Sequence, residues 1–136
     1  MPLKKSVMCL DPSMNSDDFD NWVSTYIEYQ RDPNRHVENH PSFWAVEKFM
    51  NLGRPKVNPW IYWEAILEIL KRDSSEIVTG ILAAGPLEDI IEFYGPQVIE
   101  TIEEEARKNP AFRKLLKGVW ESSTPDIWAR VLKARS

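Results

Sequence analysis

Apolar residues recur along this chain at helical spacing, in short runs divided by Pro, Gly and small polar residues. Phe19, Trp22, Val23, Tyr26 and Ile27 stand at i, i+3, i+4, i+7 and i+8, one face of a helical period. Ser16-Asp17-Asp18 ahead of them suits a helix N-terminus, where a capping hydroxyl and early acids are favourable. Arg31 to His40 is polar, holds Asp32-Pro33-Asn34 and reads as a loop. A second helix is predicted from about Pro41 to Leu52, with Gly53 as its C′ residue. From Pro59 to Arg72, Trp60, Ile61, Tyr62, Trp63, Ala65, Ile66, Leu67, Ile69 and Leu70 cover most of the circumference, leaving a strip to Glu64, Glu68 and Lys71. A helix apolar nearly all round belongs at the centre of a bundle, so Trp63 and Leu67 are expected to be almost fully buried.

The remaining helices are short and punctuated by Pro. Asn58-Pro59, Gly85-Pro86, Gly95-Pro96, Asn109-Pro110 and Thr124-Pro125 each put a capping or flexible residue before Pro. Pro suits the first helical position because the N–H it lacks would be unpaired there. Asp73-Ser74-Ser75-Glu76 resembles a capping box and opens a fourth helix that is expected to end at Gly85. A fifth helix over Pro86 to Tyr94 buries Leu87, Ile90, Ile91 and Tyr94. Gly95 ends it, and a sixth follows with Val98, Ile99, Ile102 and Ala106. A seventh carries Phe112, Leu115 and Leu116, and an eighth is expected to bury Ile127, Trp128, Val131 and Leu132. No run of period two is bounded by hairpin signals. No unit repeats at the period of about 33–47 residues that a helical array requires. The expectation is an all-α fold, a single irregular bundle of about seven or eight short helices around the helix at 59–72. Residues 14–136 form its one domain and residues 1–13 a loosely ordered tail.

Composition narrows the function classes. Of 136 residues 43% are apolar and 28% charged, as in a folded soluble protein. Six Trp, four Tyr and five Phe supply a heavily anchored core or an aromatic surface. A net charge of −4 argues against nucleic acid as a partner, since phosphate binders present basic faces. Lys4-Lys5 is followed only by Val7-Met8-Cys9-Leu10 before Asp11, too short an apolar run for a signal peptide. Cys9 is the single cysteine and cannot form an internal disulfide, and no run approaches a membrane span. A cytoplasmic protein without membrane attachment is expected.

Few residues offer chemistry. His36 and His40 share an i, i+4 spacing, but Asp32-Pro33 before them and Pro41 after them interrupt any helix. Two histidines are too few for a four-coordinate zinc site; no metal and no cofactor is expected, and His40 or Asn39 is read as a cap on the second helix. Cys9 has no glycine elbow or helix N-terminus around it to activate a thiolate. Glu64 and Glu68 lie one turn apart on the central helix. Either they face water with Glu68 paired to Arg72, or they are pocket carboxylates for a ligand or acid–base chemistry in an aromatic site between helices. The most patterned surface is acidic: Glu88, Asp89 and Glu92 on the fifth helix, Glu100, Glu103 and Glu104 on the sixth. Glu103→Arg107 and Glu104→Lys108 stand in the favourable order for ion pairs. Packed side by side, the two helices would merge these acids into one patch suited to a basic partner.

The stretch Ile81 to Trp120, ILAAGPLEDIIEFYGPQVIETIEEEARKNPAFRKLLKGVW, resembles a bacterial family catalogued only as a domain of unknown function. The residues that carry the likeness are Leu82 to Asp89, Gly95, Ile102-Glu103, Asn109 to Arg113 and Val119-Trp120. The resemblance implies a small all-helical bacterial protein and no catalytic residue. It also implies that Glu88 and Asp89 cap or salt-bridge a corner, with Arg113 an available cation. Together these readings favour a protein-interaction module, such as an immunity protein binding a basic toxin. The alternative is a ligand-binding protein or enzyme using Glu64 and Glu68.

Overall fold

In the computed structural model, residues 14–136 are described; Cys9 and the tail expectation lie outside them. The described residues are all-helical: α1 (Ser16–Arg31), α2 (Trp44–Met50) with a 3-10 turn (Asn51–Gly53), α3 (Pro59–Arg72), α4 (Glu76–Leu82), α5 (Glu88–Lys108), α6 (Pro110–Leu116) and α7 (Pro125–Ala134). A π-helical turn (Ala83–Leu87) joins α4 to α5 without a break. The bundle therefore has six helical bodies, and the seven or eight expected from Pro punctuation is an overcount.

The overcount has a physical cause. Pro86 sits inside the π turn, where the wider ring absorbs the missing N–H and keeps the helix going. Helical geometry lapses at Tyr94, at φ −134° and ψ 21°, and α5 resumes directly at Gly95-Pro96 across that kink. The expected fifth and sixth helices are thus two halves of one kinked helix, placed end to end and not side by side.

The caps follow the residues that favour them. The Asn15 side chain accepts from Asp18 N–H at 2.8 Å, one position earlier than the expected start of α1. Asn58 caps α3 through Trp60 N–H at 3.0 Å, Asn109 caps α6 through Ala111 N–H at 3.1 Å, and Thr124 caps α7. Each precedes a Pro at the first helical position. The expected capping box at Asp73 does not close. Asp73 Oδ1 instead accepts from Ser75 N–H at 3.0 Å in a turn, while its other oxygen pairs with Arg31 at 3.0 Å.

α3 is the post of the bundle, against α1, α5 and α6. Trp63 is fully buried and meets the Phe112 ring edge to face at 5.3 Å. Trp22 of α1 is equally buried; it donates from Nε1 to Ala45 O at 3.0 Å and packs on Phe49 and Tyr62. Leu67 is only half-buried, contrary to expectation. Residues 64, 67, 68 and 71 stand at i, i+3, i+4 and i+7, so the helical period places Leu67 in the same strip as Glu64, Glu68 and Lys71.

No glycine among the described residues adopts positive φ, so the expected left-handed stop at Gly53 is absent. Gly95 is needed for space. A Cβ there would lie 2.5 Å from Ser123 Oγ and 3.0 Å from Ile127 Cγ2, where α7 crosses α5. Gly80, by contrast, is exposed in α4 with nothing within 4 Å of an added Cβ. Opposite signs are expected on substitution. Gly80→Ala should stabilise by about 0.5–1 kcal/mol. Gly95→Ala should destabilise by about 1 kcal/mol net, overpacking of roughly 1–3 kcal/mol exceeding that propensity gain. Denaturant unfolding reads both; equal effects at the two positions would contradict the α5–α7 packing.

Candidate functional site

The connection from α6 to α7, residues 117–124, is an irregular segment held by side chains from two other elements. At its start an added Cβ on Gly118 would lie 2.9 Å from Ala83 Cβ, so the π turn and the end of α6 meet closely there. Val119 turns inward and is buried. Trp120, next in sequence, turns outward and is 76% exposed. Its backbone N–H donates to Glu88 Oε1 at 3.2 Å, and Ser123 N–H donates to Glu92 Oε1 at 2.7 Å. Glu88 and Glu92 are one helical turn apart on α5, so both carboxylates reach the same stretch of chain. Arg135 Nη1, from just beyond α7, donates to Val119 O at 3.2 Å. Ser123 holds φ at 65°, a conformation uncommon for a residue other than glycine. The segment is thus tied at three backbone groups, with an indole left outside.

Electrostatics set this end of α5 apart. Asp89 lies between Glu88 and Glu92 in sequence; burial, then the Glu88 and Glu92 charges, push its carboxyl above the usual carboxylate range. Among the described residues no Lys or Arg forms an ion pair with Glu88, Asp89 or Glu92. Other acids are neutralised from within. Arg72 joins Glu68 at 2.8 Å to Asp20 at 2.6 Å, and Arg130 grips both oxygens of Glu103 at 2.6 and 2.8 Å. Phe93, on the next position after Glu92, is 51% exposed. The unneutralised acids therefore sit beside two exposed aromatic residues of this α5 end and its clasped loop.

The six acids expected in one patch are divided. Glu88 and Glu100 are twelve positions apart and lie on opposite halves of α5, either side of the kink at Tyr94. Glu103 takes Arg130 of α7 in place of the expected Arg107. Glu100 is exposed, and its charge also acts on Arg130; Glu104 is exposed. Arg113 does not serve Glu88 or Asp89 as a corner cation. It donates to Ala106 O at 2.6 Å.

Glu64 and Glu68 line a groove of about 440 Å³ with Leu67, Lys71, Glu105 and Asn109. No aromatic side chain lines it, so the aromatic pocket imagined around these carboxylates is not formed. Glu68 pairs with Arg72 as the solvated reading expects. Glu105, although buried, accepts from Asn109 Nδ2 at 2.9 Å.

The histidines separate. His40 Nε2 lies 2.7 Å from Asp32 Oδ2, and its Nδ1 accepts from Ser42 N–H at 3.0 Å just before α2. The ring stands edge-on to Tyr29 at 4.9 Å. The His40 hydrogen bond, and then the Asn34 amide, hold the Asp32 carboxyl below its ordinary range. His36 is exposed. Among the described residues no group of three or more His, Cys, Asp or Glu is placed to hold a metal ion.

The architecture defines a small all-α bundle whose most exposed large apolar side chain is carried by an acid-clasped loop. The chain belongs to a family of unknown function (DUF6869), whose model matches residues 32–136. No curated protein and no solved structure matches it. The matched span contains α5, the Trp120 segment and α7, and begins just after α1. None of its helices is long and apolar enough to cross a membrane, among the described residues.

Sequence reading singled out Glu88, Asp89 and Glu92 but missed Trp120 as a surface residue. The local pattern pointed inward: Phe112, Leu115, Leu116, Val119 and Trp120 stand at i, i+3, i+4, i+7 and i+8, and Trp120 leaves that stripe only because α6 ends at Leu116.

Proposed function

We propose that this protein is an interaction module that binds a basic partner protein through the Trp120 segment and the adjoining acids Glu88, Asp89 and Glu92. The observation that carries this reading is the exposed Trp120 on a loop clasped by carboxylates that no Lys or Arg among the described residues neutralises. Tryptophan is enriched among the few interface residues that dominate binding. A loop already fixed in shape loses little further entropy on association. Surrounding negative charge favours a positively charged surface and speeds encounter with it. An immunity-type role, masking a basic toxin, fits these properties. The groove at Glu64 and Glu68 offers less to a ligand, because Glu68 and Glu105 already have partners of their own.

The test is affinity capture with the full chain from the cytosol of its source organism, then association kinetics on the captured protein. Asp89→Lys combined with Glu121→Lys reverses two charges without cutting the bonds from Glu88 and Glu92 to the loop. The double variant should slow association about tenfold or more at low ionic strength, with the difference shrinking as salt is raised. Unfolding free energy should change by no more than about 1 kcal/mol, since Glu121 is exposed and Asp89 half-buried. An unchanged association rate at low salt would sink the proposal.

A further inference from the structure

The chemistry at this surface selects a particular kind of contact on the partner. Resting on the proposal above, we infer that the Trp120 segment receives an arginine side chain, stacked on the indole and hydrogen-bonded by the neighbouring carboxylates of α5.

Three observations meet here. The Trp120 side chain is exposed, while its own backbone N–H is bonded to Glu88. An aromatic face that begins one Cα from a carboxylate offers a cation both a π surface and an anion. Glu88 and Glu92 each spend one oxygen, Oε1, on a loop amide. That leaves Oε2 of each, and the whole Asp89 carboxylate, as acceptors on the same helical turn. Finally, no Lys or Arg among the described residues pairs with the three acids, although Arg72 and Arg130 show that this chain readily satisfies acids with internal guanidinium groups. A partner's cation would complete this cluster.

Guanidinium suits the arrangement better than ammonium. It is planar, so it stacks on a Trp face while its N–H groups point outward in the ring plane toward acceptors. Its fork bridges a pair of carboxylate oxygens in two parallel bonds, which a point-like ammonium does not. Arginine is also the less strongly hydrated of the two cations, so less hydration is lost when it lies on an exposed ring. The partner therefore carries an accessible arginine, in a basic surface or an extended basic segment, with its side chain free to lie flat.

The test uses defined probes and the full chain. Two capped pentapeptides of equal charge, Gly-Arg-Gly-Arg-Gly and Gly-Lys-Gly-Lys-Gly, are titrated into the ¹⁵N-labelled protein at low salt. The indole N–H resonance of Trp120, assigned with Trp120→Phe, reports stacking; the backbone amides of Glu88 to Phe93 report the carboxylate contact. The expected result is a saturable shift of both sets by the arginine peptide, at least about fivefold tighter than with the lysine peptide, in keeping with guanidinium stacking. Asp89→Asn should weaken the arginine peptide and narrow its lead over lysine. Trp120→Ala should abolish the preference, and an unmoved Ser123 amide in that variant will show that the loop is still clasped. Equal affinity for the two peptides at Trp120 would overturn the arginine assignment and leave the basic-partner reading standing. Absence of any shift at Trp120 with either peptide at low salt would overturn both. Shifts confined to Glu100, Glu103 and Glu104 would place cation binding on the other half of α5 and likewise overturn the assignment.

Discussion

Trp63→Ala should lower the unfolding free energy by about 3–5 kcal/mol, the range for deleting a large ring from a packed core. Trp63 is fully buried in the middle of α3, where its ring meets Phe112 of α6 at 5.3 Å. The void would open between α3 and α6, whose helices are fixed at their starts by Asn58 and Asn109 and are poorly placed to collapse inward. Against a total stability of about 5–15 kcal/mol for a domain of this size, the variant would stand near the edge of unfolding. Trp63→Phe should cost markedly less. It keeps a ring against Phe112 and sheds an indole N–H that is buried without an acceptor among the described residues. Denaturant titrations of the two variants make the comparison. A Trp63→Ala cost below about 1 kcal/mol would mean that α3 is not the post of the bundle.

Cutting the chain back to the family-matched span, residues 32–136, should abolish cooperative folding. That span omits α1, yet α1 supplies the fully buried Trp22 and Val23 and the almost wholly buried Tyr26. Full burial of such side chains contributes about 1.5–3 kcal/mol each, so the three together approach the whole stability of a small domain. Their removal would also uncover Phe49 and Tyr62, which pack on Trp22 at 4.7 and 5.5 Å, and leave Ala45 O without its indole donor. The fragment should melt without a sharp transition and should show poor dispersion of its NMR resonances. A companion deletion of residues 1–13 alone separates loss of α1 from loss of the first thirteen residues. A cooperative transition in the 32–136 fragment close to that of the full chain would refute this view of α1.

The sequence was most legible where one signal acted alone. The stripe of Phe19, Trp22, Val23, Tyr26 and Ile27 and the all-round apolarity of residues 59–72 led directly to α1 and α3. Asn and Thr before Pro marked the true starts of α3, α6 and α7, because a side-chain acceptor and a missing N–H act together there. Gly before Pro misled. At Gly85-Pro86 and Gly95-Pro96 the helix continues through a π turn and a kink, geometries that tertiary packing decides and local sequence does not. Gly95 itself is required by Ser123 and Ile127, residues about thirty positions away whose proximity no local pattern announces. The same holds for the site. Acids at 88, 89 and 92 could be read from the chain, but the hold of Glu88 on Trp120 and of Glu92 on Ser123 exists only once α5 and the loop are brought together.

The central claim is that the clasped Trp120 segment anchors a basic partner. Its most direct test is the dissociation rate of the complex between this chain and its captured basic partner, compared for the native protein, Trp120→Ala and Trp44→Ala. Trp44 is a fair control because it is also exposed, at 40%, but belongs to α2. A dominant anchor contributes about 2 kcal/mol or more to binding, which is roughly thirtyfold in rate. Trp120→Ala should therefore speed dissociation by about thirtyfold or more, with Trp44→Ala close to native and all three proteins equally stable. Dissociation of Trp120→Ala at the native rate would contradict the account.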